Sequence, residues 1–438
     1  MNPTPQSADF LPLDRIAELQ AERWAAQRRY LLRHSPFLRR LWEGVAVPER
    51  LGELPRLPLC DKAMLRESQQ RHPPFGDYLA ASVDSVSRLH HTSGTTGQAM
   101  NLALSAADAR QTAVVGGRAQ RAAGLGPGHR VVHCLNYQMW MGGLSDHLTL
   151  EETGATVIPF GVGGSELLLR TIRELDVTAI SCTPSYPAVL EQVIAERFPG
   201  LAPRDFGLRL GLFGGEAGLD NDTFRARLEE TWGFKARNAN YGVSDVFCNF
   251  AGQCELNNDL HFVALDVMLP ELIDPQSAQV VPWREGAEGE LVLTHLQREC
   301  QPLVRFRTGD IVVLTGTGTG ACACGRTAPR FRVIGRSDDM VTVRGINVFP
   351  TAVAAVVNEF PELSGEYRIT LTGPGPYDRL PLEVEAAPDR DPEAALAERV
   401  AAAVQRHLRV TAHVTILPAR SLPRSEGKTR RVIRREAP

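Results

Sequence analysis

Between residues 130 and 232 short β-branched runs alternate with helical stretches, and this alternation restricts the fold more than any other feature of the chain. Val131-Val132-His133-Cys134, Thr156-Val157-Ile158, Thr178-Ala179-Ile180-Ser181 and Leu208 to Phe213 read as strands, and 165–175, 187–197 and 221–231 carry helical patterns. Strands joined through helices run parallel and are covered by helices on both faces, which places ligands at their carboxyl ends. Ser105 to Ala123 reads as a preceding helix, with Ser105 as N-cap and Gly124 as stop. One or two further helices are expected over residues 10–45, broken at Pro36.

From about residue 260 the rhythm changes to strands separated by Gly and Pro, as in Gly289 to Thr294 and Asp310 to Leu314, so a β-rich subdomain is expected. Beyond Gly335 to Asp339 the order becomes strand, helix, strand, strand, helix, strand. The last helix is predicted over 391–408, with Asp391 as cap, Pro392 in the first turn and Leu396, Val400, Val404 and Leu408 on its core face. With 438 residues and 43% apolar content the chain is too long for one ordinary domain. The expectation is an α/β protein: a large N-terminal domain, residues 1–337, with doubly wound parallel sheets plus the β-rich subdomain, and a small α+β C-terminal domain, residues 338–438.

A net charge of -3 with both signs interspersed gives no basic face for nucleic acid or an anionic membrane. No run approaches the ~18 to 20 apolar residues of a membrane span. The start, Met1-Asn2-Pro3-Thr4-Pro5, lacks the features of a secretory leader, so a cytoplasmic protein acting on small molecules is expected. Eight cysteines in that setting read as thiols or metal ligands. Cys254, His261, Cys322 and Cys324 offer three thiolates and an imidazole, a closed tetrahedral set for a structural Zn²⁺. Unrelated thiols, or Cys248 in place of one ligand, are the alternatives.

His90-His91 leads into Thr92-Ser93-Gly94-Thr95-Thr96-Gly97-Gln98, where glycines permit close backbone approach and hydroxyl and N–H donors can wrap phosphate oxygens. The Walker pattern is absent, and a plain polar surface loop is the competing reading. The segment resembles the phosphate-binding signature T-S-G-T-T-G-K of adenylate-forming enzymes, with Gln98 where that family has lysine. Further segments resemble the same superfamily in the same order, in its phenylacetate-coenzyme A ligase branch: Phe213-Gly214-Gly215-Glu216, Asn240-Tyr241-Gly242-Val243-Ser244-Asp245, Arg305-Phe306-Arg307-Thr308-Gly309-Asp310, Gly335 to Pro350, and Leu422 to Arg431. Some members of that branch also carry a similar Cys-His and Cys-x-Cys-Gly pattern.

The resemblance implies a role for each. Thr92 to Gly97 would clasp the phosphates of ATP. Gly214, Gly215 and Glu216 would lie along adenine, glycine being needed to leave room for the ring, with Tyr241 stacked on it beside Asn240. Ser244 and Asp245 would sit near the α-phosphate and its Mg²⁺, the carboxylate of Asp245 suiting a hard cation. Asp310 would accept the ribose hydroxyls, and Arg336 would contact the ribose and phosphate side. Asp338 would be the hinge about which a mobile C-terminal domain turns. Lys428 would be the adenylation lysine, offsetting charge as carboxylate and α-phosphate meet, and Gly345 would lie in the loop presented to a thiol. The acid pocket would follow the strand near residue 134. There Tyr137, Trp140 and the flanking Met139 and Met141 suit an aromatic slot, Gly142-Gly143 would admit a flat ring, and Tyr186 would form a further wall.

These roles imply an AMP-forming ligase using ATP and Mg²⁺ to activate an aromatic acid and pass it to coenzyme A. An amine or a carrier protein as acceptor, nitrite activation for diazotising an aromatic amine, and a nucleotide-binding regulator without catalysis are the alternatives. Oligomeric state is left open, a homodimer being one candidate.

Overall fold

The protein is described from a computed structural model covering residues 7–92, 99–216, 218–344, 346–373, 377–388, 395–423 and 431–435. Two helices, α1 (Leu13–His34) and α2 (Pro36–Leu41), open the chain, and Ser35 caps the second by accepting the Leu38 N–H. They act as a strap. From α1, Gln20 donates to the Leu265 carbonyl at 2.7 Å and Gln27 to the Arg298 carbonyl at 2.8 Å, fixing the helix to the back of the β-rich half.

A third helix, α3 (Lys62–Arg71), capped by Asp61, leads to the hairpin β1 (Val86–His91) and β2 (Asn101–Ser105). The phosphate-loop sequence therefore joins two antiparallel strands; the strand at 101–105 was not legible because it is five residues long and runs straight into the helix. The helix α4 (Ala106–Ala122) follows at once. Its capping box is complete, Ser105 Oγ accepting from Asp108 N at 3.1 Å and Asp108 Oδ2 from Ser105 N at 3.3 Å, and Gly124 ends it at φ +101°.

The expected alternation is then realised: β3 (Arg130–His133), α5 (Met141–Glu151), β4 (Thr156–Pro159), α6 (Ser165–Glu174), β5 (Ala179–Cys182), α7 (Tyr186–Arg197), β6 (Leu210–Gly214), α8 (Asp222–Trp232) and β7 (Lys235–Val243). Antiparallel strands follow: β8 (Phe247–Cys254), β9 (Asn257–Phe262), β10 (Met268–Ile273), β11 (Val280–Val281), β12 (Glu288–His295), β13 (Phe306–Gly316) and β14 (Arg330–Arg336). The sequence separates a parallel unit from a β-rich one, but both lie in a single 12-stranded sheet of order β11-β10-β12-β13-β14-β9-β8-β7-β6-β5-β3-β4. The seam is β7, which pairs parallel with β6 up to Asn240 and antiparallel with β8 from Tyr241. Each half keeps its own core, one around Trp24, Phe250 and Phe306 and the other around Phe213, Leu190 and Trp232.

The C-terminal domain begins with the ribbon β15 (Val341–Val343) and β16 (Ile346–Val348), then α9 (Pro350–Val357), β17 (Leu363–Thr372), β18 (Leu380–Ala386), α10 (Leu396–Leu408), β19 (Ala412–Leu417) and β20 (Val432–Arg435). Its mixed four-stranded sheet has order β19-β18-β17-β20 and a separate core, into which α10 buries Leu396, Val400 and Val404. Asp391 and Pro392, expected to start that helix, lie outside the described residues. No described helix is long and apolar enough to cross a membrane.

Candidate active site

The seam strand β7 delivers the central side chains. Tyr241 packs edge-on between Phe250 and Phe331, with ring centroids 5.2 and 5.3 Å away, and donates its hydroxyl to Asp310 Oδ2 at 2.8 Å. Burial and the adjoining carboxylate hold that phenol well above its usual pKa, so it remains a donor. The other oxygen of Asp310 accepts from Arg336 Nη1 at 2.6 Å. The same guanidinium grips Asp338 with two bonds, Nε to Oδ1 at 2.8 Å and Nη2 to Oδ2 at 3.1 Å. Burial pulls the Arg336 pKa down, but the carboxylates of Asp310 and Asp338 outweigh it and the group is held above its usual value. A continuous chain, Tyr241–Asp310–Arg336–Asp338, thus runs from the sheet seam to the segment that leads into the β15–β16 ribbon. Buried Glu290 supports it, accepting the Gly309 N–H at 3.1 Å and two nitrogens of Arg307.

Four residues on, Asp245 is buried, and its Oδ2 accepts from Lys62 Nζ at 2.9 Å. Its Oδ1 has no hydrogen-bond partner among the described residues, an acceptor left for a cation such as Mg²⁺. Lys62 was missed in the sequence because a lysine at a helix start carries no functional signal by itself. Ser244 is half-buried beside it.

Gly214 ends β6, where a Cβ would lie 2.4 Å from the Asn240 carbonyl oxygen. The approach of β7 by itself therefore forbids a side chain at Gly214. Gly215 follows at φ +80°, and Glu216 accepts from Ser185 Oγ at 2.7 Å. Arg431 is raised above its usual pKa: burial opposes this, Glu366 drives it, and the charge of Glu216 contributes from the other domain.

Thr92 pairs with Met100, its N–H donating to the Met100 carbonyl and its hydroxyl accepting the Met100 N–H, both at 3.0 Å. Ser93, Gly94, Thr95, Thr96, Gly97 and Gln98 lie outside the described residues, as do Gly345 and Lys428. The segment at Met139 and Trp140 is tied to the neighbouring residue, since His91 N donates to the Met139 carbonyl at 2.6 Å and His91 bridges Trp140. Tyr137 is half-buried and its hydroxyl meets His147 Nδ1 at 2.8 Å, with His147 Nε2 3.0 Å from Glu151 Oε1. The two glycines divide the work. A Cβ on Gly143 would strike the Asn136 carbonyl at 2.3 Å, whereas one on Gly142 would make ordinary van der Waals contacts with Asp146, Trp140 and Leu135, so a small group fits at Gly142 and not at Gly143. Tyr186 is in the core of the parallel half, 4% exposed, bonded to Ser165 Oγ at 3.0 Å. Asp146, buried one helical turn beyond Gly142, was not singled out, although an aspartate within the apolar run of α5 is a visible anomaly.

Behind the site, β8 ends in Cys254, β9 carries His261, and the turn between β13 and β14 holds Cys322 and Cys324. All four ligand atoms lie within 4.8 Å of one another. Cys254 and Cys322 sulfurs are 4.0 Å apart, and Cys324 Sγ is 3.6 Å from His261 Nε2. A tetrahedral zinc with bonds of about 2.3 Å to sulfur and 2.0 Å to nitrogen requires separations of roughly 3.8 and 3.6 Å, so the set fits. Burial lowers the His261 pKa to about 4, which keeps the ring neutral and able to coordinate. The neighbouring Arg326 donates to Asp9 at 2.7 Å and so ties the turn to the N-terminal segment.

Comparison with known proteins places this geometry. Residues 345–435 match the AMP-binding enzyme C-terminal domain. The chain is 35% identical to the phenylacetate-coenzyme A ligase of Thermus thermophilus over 97% of its own length and 98% of that protein's. It is 32% identical to that of Aromatoleum evansii over 99% and 98%. A 2-hydroxyisobutyryl-CoA ligase crystallised in the postadenylation state with its acyl-AMP superposes with a TM-score of 0.89 at 30% identity, covering 99% of this chain and 94% of that one. The same ligase in its thioesterification state gives 0.71 at 31% identity, covering 100% and 94%, so the domains here are arranged as in the former. The chain belongs to the phenylacetate-coenzyme A ligase family of adenylate-forming enzymes and is an AMP-forming ligase.

Proposed function

We propose that this ligase activates an aromatic carboxylic acid as its acyl adenylate and transfers the acyl group to the thiol of coenzyme A. The observation that carries the reading is the Tyr241–Asp310–Arg336–Asp338 chain. It presents a stacking ring, a diol acceptor and a fixed cation at one point, and ends where the second domain begins. We assign residues 1–337 to the domain binding ATP and acid and 338–438 to the domain carrying Lys428, with Asp338 as the pivot.

In the first step a carboxylate oxygen of the acid attacks the α-phosphorus and pyrophosphate leaves. Thr92 to Gly97 clasp the departing phosphates. Gly214, Gly215, Glu216, Asn240 and Tyr241 seat the adenine, Asp310 the ribose and Arg336 the phosphate side. Lys428 offsets the charge that builds as two anions meet. Bound at Asp245 beside Ser244, Mg²⁺ would supply further positive charge against the phosphates. In the second step the small domain turns and brings Gly345 toward the incoming thiol. Tyr137, Trp140 and Gly142 line the acid pocket, with Tyr186 supporting it from the core. Zn²⁺ at Cys254, His261, Cys322 and Cys324 would leave no open coordination position and so serve structure alone.

Pyrophosphate release measured over a panel of aryl acids, with and without coenzyme A, tests the reading. Release with at least one aryl acid, and thioester formation when the thiol is added, is the expected result. Release only with aliphatic acids, or transfer only to an amine, would overturn it.

A further inference from the structure

Asp146 is a buried carboxyl, 3% exposed, on the helix that begins with the acid-pocket glycines. Gly142 and Asp146 stand four residues apart and share a helix face. A Cβ built on Gly142 would lie 3.4 Å from Asp146 Oδ2, and Gly142 itself is only half-buried. A group entering the space over Gly142 therefore meets this carboxyl. On its far side Asp146 Oδ2 accepts from Asn240 Nδ2 at 2.6 Å, and Asn240 is the residue before Tyr241 on the seam strand. The carboxyl thus lies between the acid side and the nucleotide side of the site.

Its partners are incomplete. Asp146 Oδ1 has no hydrogen-bond partner among the described residues, and the groups that perturb Asp146 are neutral, the Cys248 thiol and the Asn240 amide, each hydrogen-bonded to the carboxyl, with no lysine or arginine among them. Burial accordingly raises its pKa to about 7. An orphaned carboxyl oxygen in a protein interior is costly, so such a group ordinarily finds a donor for each oxygen. A ligand that donates a hydrogen bond would satisfy the second.

We propose that Asp146 is a specificity-determining residue that selects aromatic acids carrying a hydrogen-bond donor, an amino or hydroxyl substituent, on the part of the ring that lies over Gly142. The inference rests on the acyl-activating reading above and narrows its substrate class. A donor on the substrate bonds the Asp146 carboxyl, while a bare or methylated ring leaves that carboxyl short of a donor. Sites built to pair a substrate donor reject analogues that lack it far more strongly than apolar pockets reject a change of size.

The test compares benzoate and phenylacetate with their amino- and hydroxy-substituted forms at each ring position. Methoxy and dimethylamino analogues add bulk without a donor. Catalytic efficiency is read as pyrophosphate release. For one ring position the wild-type enzyme is expected to prefer the donor-bearing acid over its methylated analogue by about tenfold or more. Asp146→Ala should abolish that preference, and Asp146→Asn, which keeps an acceptor, should retain part of it for the hydroxyl acids. If Asp146→Ala does not fold, the wild-type comparison decides alone. Equal use of donor-bearing and donor-free acids, or a preference that survives in Asp146→Ala, overturns the role of Asp146 and leaves the ligase reading standing. No pyrophosphate release with any acid of the panel overturns the aromatic-acid reading and this inference with it.

Discussion

Two clusters of polar side chains flank the antiparallel half of the sheet, and they are built on opposite terms. The Tyr241–Asp310–Arg336–Asp338 cluster, proposed above to seat the nucleotide, is charged and half open: the side chains of Arg336 and Asp338 keep 42% and 49% of their exposure, and every member already has a partner it could share with a ligand. The thiol cluster is closed, with Cys254, His261 and Cys322 buried and the ligand atoms facing one another. Charges on flexible, solvated side chains can be exchanged during turnover. Buried thiols around one point suit a permanent ion. The first cluster should therefore govern rate and the second stability.

The largest expected effect is on the thiol side. Cys322→Ser, or removal of metal by a chelator, should abolish a zinc content of about one per chain and lower unfolding stability by several kcal/mol. Turnover per folded molecule should change little. Metal analysis of protein purified without a metal-affinity step, with urea unfolding, checks this; unaltered stability in metal-free protein would remove the structural role.

On the nucleotide side the effects should be kinetic. Lys428→Ala should slow adenylate formation by about 10²- to 10³-fold while sparing thioester formation from supplied acyl adenylate. Equal loss of both half-reactions would contradict the assignment of Lys428 to the first step alone. Asp310→Asn keeps the shape but loses a charge shared by Tyr241 and Arg336, and should raise the KM for ATP by roughly ten- to thirtyfold, the worth of a charged hydrogen bond. An unchanged KM would mean that Asp310 only braces Arg336.

The two clusters were unequally legible. Cysteine and histidine spacing points to the thiol set directly, because few residue types bind zinc and they must converge. Asp310 and Arg336 are 26 residues apart, and their contact depends on the register of β13 against β14, which no local pattern records. The strand order of the parallel half follows from its alternation. Its fusion with the β-rich half does not, since that hinges on β7 changing partners at Asn240 and Tyr241. Lys62 became visible only through its neighbour Asp245, whereas Asp146 already stands out as a carboxyl in the apolar run of α5.

The smallest effect separates the two clusters most finely, because Lys62–Asp245 is a mixed case: a buried carboxylate with a partly exposed cation, their side chains 4% and 37% accessible. Removing one member of a fully buried pair costs about 3–5 kcal/mol, but solvent around Lys62 screens the charge and water can replace it, which brings the cost of Lys62→Met to about 1 kcal/mol. Asp245 would then have both oxygens free to take a cation. Added Mg²⁺ should recover that stability in Lys62→Met and do less for the wild-type protein, whose lysine already holds Oδ2. Urea midpoints with and without Mg²⁺ read the difference. If the ion stabilises both proteins equally, Asp245 is no part of a cation site and the pair belongs with the permanent structure of the protein.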